Sequence, residues 1–424
     1  MRGVMHTGTS MADVQTVCFE AAEQVIDRCR SVALFSETPA GTTRTFLCQA
    51  MHECHAFLRS WMEDAGMKVA VDRVGNLRGL YPGKTTGAPT FVLGSHLDSV
   101  PDAGAFDGVL GVAIAISLVQ LLEGRRLPYA LEIVGFSEEE GVRFGIPFIG
   151  SRGWLRQLPA DLLQAKDKAG ISVAEAIQRF GAGAGEHVLN ESSRRIGFLE
   201  FHIEQGPVLD NLGLPVALVT AIAGQTRASV TFRGKANHAG TTPMHLRKDA
   251  AAGVAEWIGE VEQLAHSVEG LVATVGAVEV LPGASNVIAG EATASLDVRH
   301  PDDQVRNMAA QKLLSRAEEI AAARSLTVEH SIRMNQPAVP MDGCLLSTLE
   351  KAFAGVGVEP HRMVSGAGHD AIIIAEHMPA AMIFLRSPAG ISHHPAETVR
   401  AEDVEIALRV GSAFLDQWLA EELR

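Results

Sequence analysis

At 424 residues the chain is longer than one ordinary hydrophobic core organises, so two domains are expected. Hydrophobic residues make up 47% and charged residues 20%, the balance of a globular protein and not of a disordered or fibrous chain. A formal net charge of −14 argues against nucleic acid or an anionic membrane surface as the main partner, while local basic residues could still bind a small anion.

The first residues, MRGVMHTGTSMADVQ, lack the apolar core of a signal peptide, and those before Met11 are expected to form a loose extension. Helical periodicity then covers 12–30, 48–65 and 108–123, and strand-like runs cover 68–71, 90–93, 130–136 and 198–203. Strands separated by helices predict a mostly parallel α/β sheet. The pattern changes near Leu214. From Val216 to about Met334 the order is β-α-β-β-α-β: a strand containing SVTFR, a helix over 249–266, strands near 271–280 and 291–299, a helix over 303–323 and a strand over 326–332. That order fits a ferredoxin-like split βαβ sandwich inserted into the first domain. A helix over 345–354, a strand over 380–385 and a helix over 401–421 return to the α/β domain. The expected borders are 1–215 with 335–424 for the first domain and 216–334 for the insertion. The longest apolar run, 109–122, is too short to span a membrane. Five cysteines, an odd number without a CxxC pair, favour a reducing compartment, and a cytoplasmic protein is expected.

Metal-capable side chains concentrate in five places: His96 and Asp98, Asp107, the run SEEEG (137–141), FHIEQG (201–206) and GISHHPAE (390–397). Singly, each has an ordinary structural explanation. A histidine commonly pairs with a nearby carboxylate, Asp107 stands where a helix cap would, and a glutamate run is usually a solvated turn. Jointly they point elsewhere, because several follow predicted strands, and ligand sites in open α/β sheets form beyond the carboxyl ends of strands. Imidazole and carboxylate without thiolate suit zinc, manganese or cobalt.

The motifs GSHLDSVPDAGAFDGVLGV, EEEGVRFGIPFIGSRGW, EFHIEQGPVL, GKANHAGTTPM, GASNVIAG, LDVRHPD, SGAGHDA and GISHHPAE resemble the dinuclear-metal amidohydrolases. That family includes N-carbamoyl-L-amino-acid hydrolase, allantoate amidohydrolase and β-ureidopropionase, and is related to aminoacylase and carboxypeptidase-G-type enzymes. The likeness runs in order from about Gly41 to near the end of the chain. It implies two divalent ions per subunit, with His96 and His202 on one, Glu140 and His393 on the other, and Asp107 bridging. Glu139 is implied as the general base and Asp98 as the group that fixes His96, while the extra Glu138 leaves a register one residue earlier open. His238 is implied as the donor that polarises the scissile carbonyl. Gln205, Gln225, Asn286, Arg299 and the backbone at Gly368 are implied as substrate contacts, Arg299 clamping a carboxylate. The expected substrate is a small ureido compound carrying a carboxylate, foremost an N-carbamoyl-L-amino acid. Allantoate is the alternative, N-carbamoyl-β-alanine a lesser one, and a non-catalytic metal-binding homologue the alternative of another class. A homodimer through the insertion is also implied.

Overall fold

The computed structural model describes residues 11–183, 189 and 194–422. The expected loose extension before Met11 lies outside them. Two compact units emerge: Met1–Thr220 with Met341–Met363 and His369–Arg424, and Ala221–Pro340 with Val364–Gly368. The segment Val364–Gly368, placed by the sequence borders in the first domain, joins the second unit through two contacts. Ala223 N–H donates to the Ser365 carbonyl, and the Arg299 guanidinium donates to the Gly366 carbonyl.

The first unit is built on a sheet whose strands run in the order Lys68–Val71, Leu77–Tyr81, Ala130–Phe136, Thr90–His96, Arg195–Ile203, Ala380–Leu385 and Val216–Ile222. The middle four, from Ala130–Phe136 to Ala380–Leu385, are parallel, and the strands beside them on either side are antiparallel. The central strands Thr90–His96, Ala130–Phe136 and Ala380–Leu385 are buried at every position. Covered on both faces, they need near-continuous apolar runs, and TFVL, ALEIVGF and AAMIFL supply them. The helix Val109–Gln120 is buried from Val109 to Val119. It has no polar face because Met11–Ala33 and Ala401–Glu422 pack around it against the sheet. It starts one residue later than expected because Gly108 has φ +68, outside the helical region.

The second unit has the order β-α-β-β-α-β expected of a ferredoxin-like fold. Gly224–Arg233 lies between Glu291–His300 and Thr327–Gln336, all antiparallel. The run expected as one strand over 271–280 is two, Val272–Thr274 and Val278–Leu281, both pairing with Glu291–His300. The connecting residues loop away at Gly276, while the Ser295 hydroxyl accepts the Ala277 N–H and Ser295 N–H donates to the Ala277 carbonyl. The helices Ala250–Ser267 and Asp303–Ala323 cover one face around Trp257, whose indole N–H donates to the Leu313 carbonyl. Each helix begins on an aspartate, Asp249 or Asp302, whose carboxylate accepts two backbone N–H groups of the first turn.

Candidate metal centre

Beyond the carboxyl ends of the parallel strands, the chain brings together the residues that the sequence singles out in the first unit. His96 ends one strand, His202 lies near the end of the next, and Asp107 precedes the buried helix. Gly108 is required there: a Cβ on it would sit 2.5 Å from three atoms of the His96 ring. Both imidazoles are tied by Nδ1 to backbone carbonyls, His96 to Asp98 at 3.0 Å and His202 to Ile203 at 2.9 Å. These bonds put a proton on Nδ1, so that in the neutral imidazole the lone pair lies on Nε2. The two Nε2 atoms face each other at 3.3 Å, and Asp107 Oδ1 lies 3.3 Å from His202 and 3.8 Å from His96. Three acceptors directed at one point fit a cation and fit little else in a buried pocket.

Asp107 also looks the other way. Its Oδ2 is 3.1 Å from His393 Nε2, and His393 is 3.7 Å from Glu140. His96, Glu139 and Glu140 likewise offer ligand atoms within 4.8 Å of one another. Among the described residues Glu138 enters none of these groups. It is fully buried, on the other side of Glu139 in the run. Burial pushes the Glu139 carboxyl well above its usual range and Glu140 up to about 7, with Asp107 adding to the shift at Glu140. Burial lowers His202 to about 4, so its imidazole is neutral at ordinary pH and its lone pair is available. The donor set is imidazole and carboxylate throughout, which suits divalent zinc, manganese or cobalt.

Asp98 meets His96 Nδ1 twice, through its backbone carbonyl at 3.0 Å and through its carboxylate at 3.5 Å. The carboxylate oxygens accept the backbone N–H groups of Glu139 and Glu140, at 2.9 and 3.1 Å. One residue therefore anchors both the histidine and the glutamate run. Gln205 donates through Nε2 to both oxygens of Asp107, at 3.2 Å each, and lies 3.3 Å from His393 Nε2. Gln205 and His393 hold φ of +60 and +56, the left-handed region that side chains seldom occupy, and such strain concentrates at functional sites. His394 turns to its own loop, its Nδ1 accepting the Ala396 N–H.

Three further residues belong to this region. Glu397 accepts the N–H groups of Phe106 and Asp107 and so fixes the backbone of Asp107. The buried His369 ring packs edge-on against His202, centroids 4.5 Å apart. Glu200, also buried, accepts from the Ser95 hydroxyl and offers ligand atoms near those of His202 and His369. GISHHPAE and SGAGHDA contain two of these residues. Their contacts, however, join positions far apart in the chain, so spacing cannot reveal them.

The remaining expected residues lie in the second unit. The short strands Asn237–His238 and Val287–Ile288 pair, which sets His238 beside Asn286, whose carbonyl accepts the Ala239 N–H. His238 Nδ1 accepts the Gly240 N–H, which leaves the proton on an exposed Nε2, a ready donor. Gln225, Arg299 and the loop leading to Gly368 gather around Asp297. Gln225 donates to Asp297 at 2.7 Å, and the Nε and Nη2 edge of Arg299 grips the same carboxylate at 2.9 and 3.0 Å. A clamp by Arg299 on a further carboxylate would therefore use its remaining N–H groups.

The model of peptidase family M20/M25/M40 matches residues 92–417. The chain belongs to that family. The amidohydrolases resembled by the motifs are among its relatives. Over 93% of this chain and 81% of the relative, it is 36% identical to an allantoate deiminase of Arabidopsis thaliana. To an N-carbamoyl-L-amino-acid amidohydrolase of Pseudomonas sp. (strain NS671) it is also 36% identical, over 87% of this chain and 91% of the relative. The crystal structure of an amidase of the hydantoinase/carbamoylase family from Burkholderia multivorans matches with a TM-score of 0.88 at 30% identity, covering 94% of this chain and 98% of that one. Among the described residues of this family member, no helix is long and apolar enough to cross a membrane.

Proposed function

We propose that this M20-family chain hydrolyses N-carbamoyl-L-amino acids to the amino acid, carbon dioxide and ammonia. His96, Asp107 and His202 would hold one divalent ion and Asp107, Glu140 and His393 a second. The observation that carries this reading is the convergence of His96 Nε2, His202 Nε2 and Asp107 Oδ1 in one buried cluster. Divalent zinc, manganese or cobalt bound there supplies Lewis acidity and an acidified water. Glu139, buried and anchored through its backbone to Asp98, takes the proton of the attacking water. It delivers that proton to the α-nitrogen as the C–N bond breaks, and the carbamic acid released decomposes to carbon dioxide and ammonia. His238 donates from Nε2 to the oxygen that gains charge. Asn286, Gln205, Gln225 and the backbone at Gly368 orient the substrate, and the free N–H groups of Arg299 hold its carboxylate.

Residues 1–215 and 335–424 carry the catalytic role in this reading and 216–334 the dimerising one. The protein is a cytoplasmic homodimer acting on a small molecule, without nucleic acid or membrane as partner. Allantoate is the second reading, favoured by the extent of the match to the Arabidopsis relative.

Substitution of Glu139 by Gln in metal-loaded protein tests the chemistry. It should lower kcat by about 10²–10⁴-fold with metal content, read by elemental analysis, unchanged. An unaltered rate would sink the assignment of the base, and a metal-loaded parent that hydrolyses no ureido compound would leave a non-catalytic homologue. Ammonia release from N-carbamoyl-L-amino acids, N-carbamoyl-β-alanine and allantoate separates the substrates; turnover of allantoate alone makes the second reading the right one.

A further inference from the structure

On the sheet of the second unit, three arginines stand on three adjacent strands, and two of them, Arg227 and Arg299, share the carboxylate of Asp297. Alternation sets the arrangement: Ala292, Ala294, Leu296 and Val298 turn into the core, so Asp297 and Arg299 take the opposite face. Arg227, on Gly224–Arg233, is paired directly across from Asp297. Arg333, on Thr327–Gln336, is the residue displaced by the bulge between Ile332 and Met334, beside the partner of Arg227. All three line one cavity of about 800 Å³, whose single acidic wall residue among those described is Asp297.

The hydrogen-bonding capacity of Asp297 is spent. Its two oxygens receive Gln225 Nε2, Arg227 Nε, and Nε and Nη2 of Arg299, about as many donors as a carboxylate accepts. Its charge offsets one of the three arginines. The terminal nitrogens of Arg227 and the whole guanidinium of Arg333 make no hydrogen bond or ion pair among the described residues. Two positive charges with open donors are thus left in one cavity, in a chain whose formal net charge is −14. Arginine forks of this kind are suited to carboxylates.

We infer that this face selects a dianion: an N-carbamoyl-L-amino acid whose side chain bears its own carboxylate, taken by Arg333 and Arg227, while Arg299 takes the α-carboxylate. The inference rests on the function proposed above. A substrate with a single carboxylate would leave Arg333 unmatched.

The test compares kcat/KM for N-carbamoyl-L-aspartate and N-carbamoyl-L-leucine in the parent, Arg333→Ala and Arg333→Glu, each with metal loaded. The acidic-over-neutral ratio should exceed one in the parent. It should fall by about tenfold in Arg333→Ala, chiefly through KM, and fall further in Arg333→Glu. Arg233→Gln, on the same sheet but engaged with Glu291 and Glu329, should leave the ratio in place. A parent that hydrolyses both substrates without preference, or a ratio unmoved by both Arg333 variants, would overturn the inference and spare the proposed function. If no N-carbamoyl amino acid is hydrolysed, the function fails and the cavity is judged by calorimetry on the full-length Glu139→Gln protein. Tighter binding of N-carbamoyl-L-aspartate than of N-carbamoyl-L-leucine, weakened by adding Arg333→Ala, would sustain the anion class; equal or absent binding would refute it.

Discussion

In the first unit the His96, Asp107 and His202 half of the candidate centre is buried and tied to the backbone, with His393 at its exposed edge, whereas in the second the polar residues lie on an open sheet face and hold one another. His96, Asp98, Asp107, Glu139 and His202 are each less than a tenth exposed, and each is fixed by a main-chain contact or by a neighbour in the cluster. Arg227 and Arg233 are 49% and 44% exposed and are steadied by carboxylates across the strands. Burial makes geometry expensive to change, because a displaced charge has no water to fall back on. An open face can exchange side chains cheaply, so variation in substrate preference is easier to accommodate there than variation in chemistry.

The largest effect that follows from this contrast is expected at Gly108. Replacement by Ala forces a Cβ against the His96 ring at a φ of +68, where the backbone strain alone costs about 1–3 kcal/mol. Metal affinity, measured by competition with a chelator, should drop at least about tenfold. Unchanged affinity would show that the buried centre is more pliable than its packing implies.

A moderate effect is expected from pH. His55 in the helix Gln49–Asp64 is buried, and burial lowers its pKa from 6.5 to about 3. Its folded-state value is depressed, so the stability linked to its neutral form is present above the unfolded value and is lost as pH falls towards 3. The loss reaches about 2 kcal/mol at about pH 5. The melting temperature of the parent should therefore fall more steeply than that of His55→Leu between about pH 6.5 and about pH 5. Parallel curves would remove this group from the acid sensitivity of the first unit.

The smallest effect belongs to the open face. Arg233→Gln breaks ion pairs to Glu291 and Glu329, yet both partners are solvent-exposed and such pairs contribute little. Its melting temperature should match that of the parent within measurement error. A clear drop would mean that the two regions differ less than their burial indicates.

Much of this was legible in the chain. Continuous apolar runs marked the buried parallel strands, and GVLGVAIAISLVQLL marked a helix enclosed on all sides. The metal-capable residues stood out because histidine and carboxylate recur where such strands end. What stayed hidden were contacts between distant positions: Glu397 on the backbone of Asp107, His369 against His202, and the Asp98 carboxylate on the glutamate run. Asp297 was hidden for the same reason. Only strand register sets it opposite Arg227, and only then does it become the shared partner of Gln225, Arg227 and Arg299.

Local periodicity and residue chemistry were enough to read the family, the main elements of both units and the metal-capable side chains, but not the strand Leu77–Tyr81 or the division of 271–280 into two strands. The folded arrangement settled which nitrogen of each histidine faces the cluster, that the Asp98 carboxylate reaches the glutamate run as well as His96, and which arginines keep open donors. Those are properties of hydrogen bonds made across the fold, and a hydrogen bond exists only once its two ends have been brought within about 3 Å.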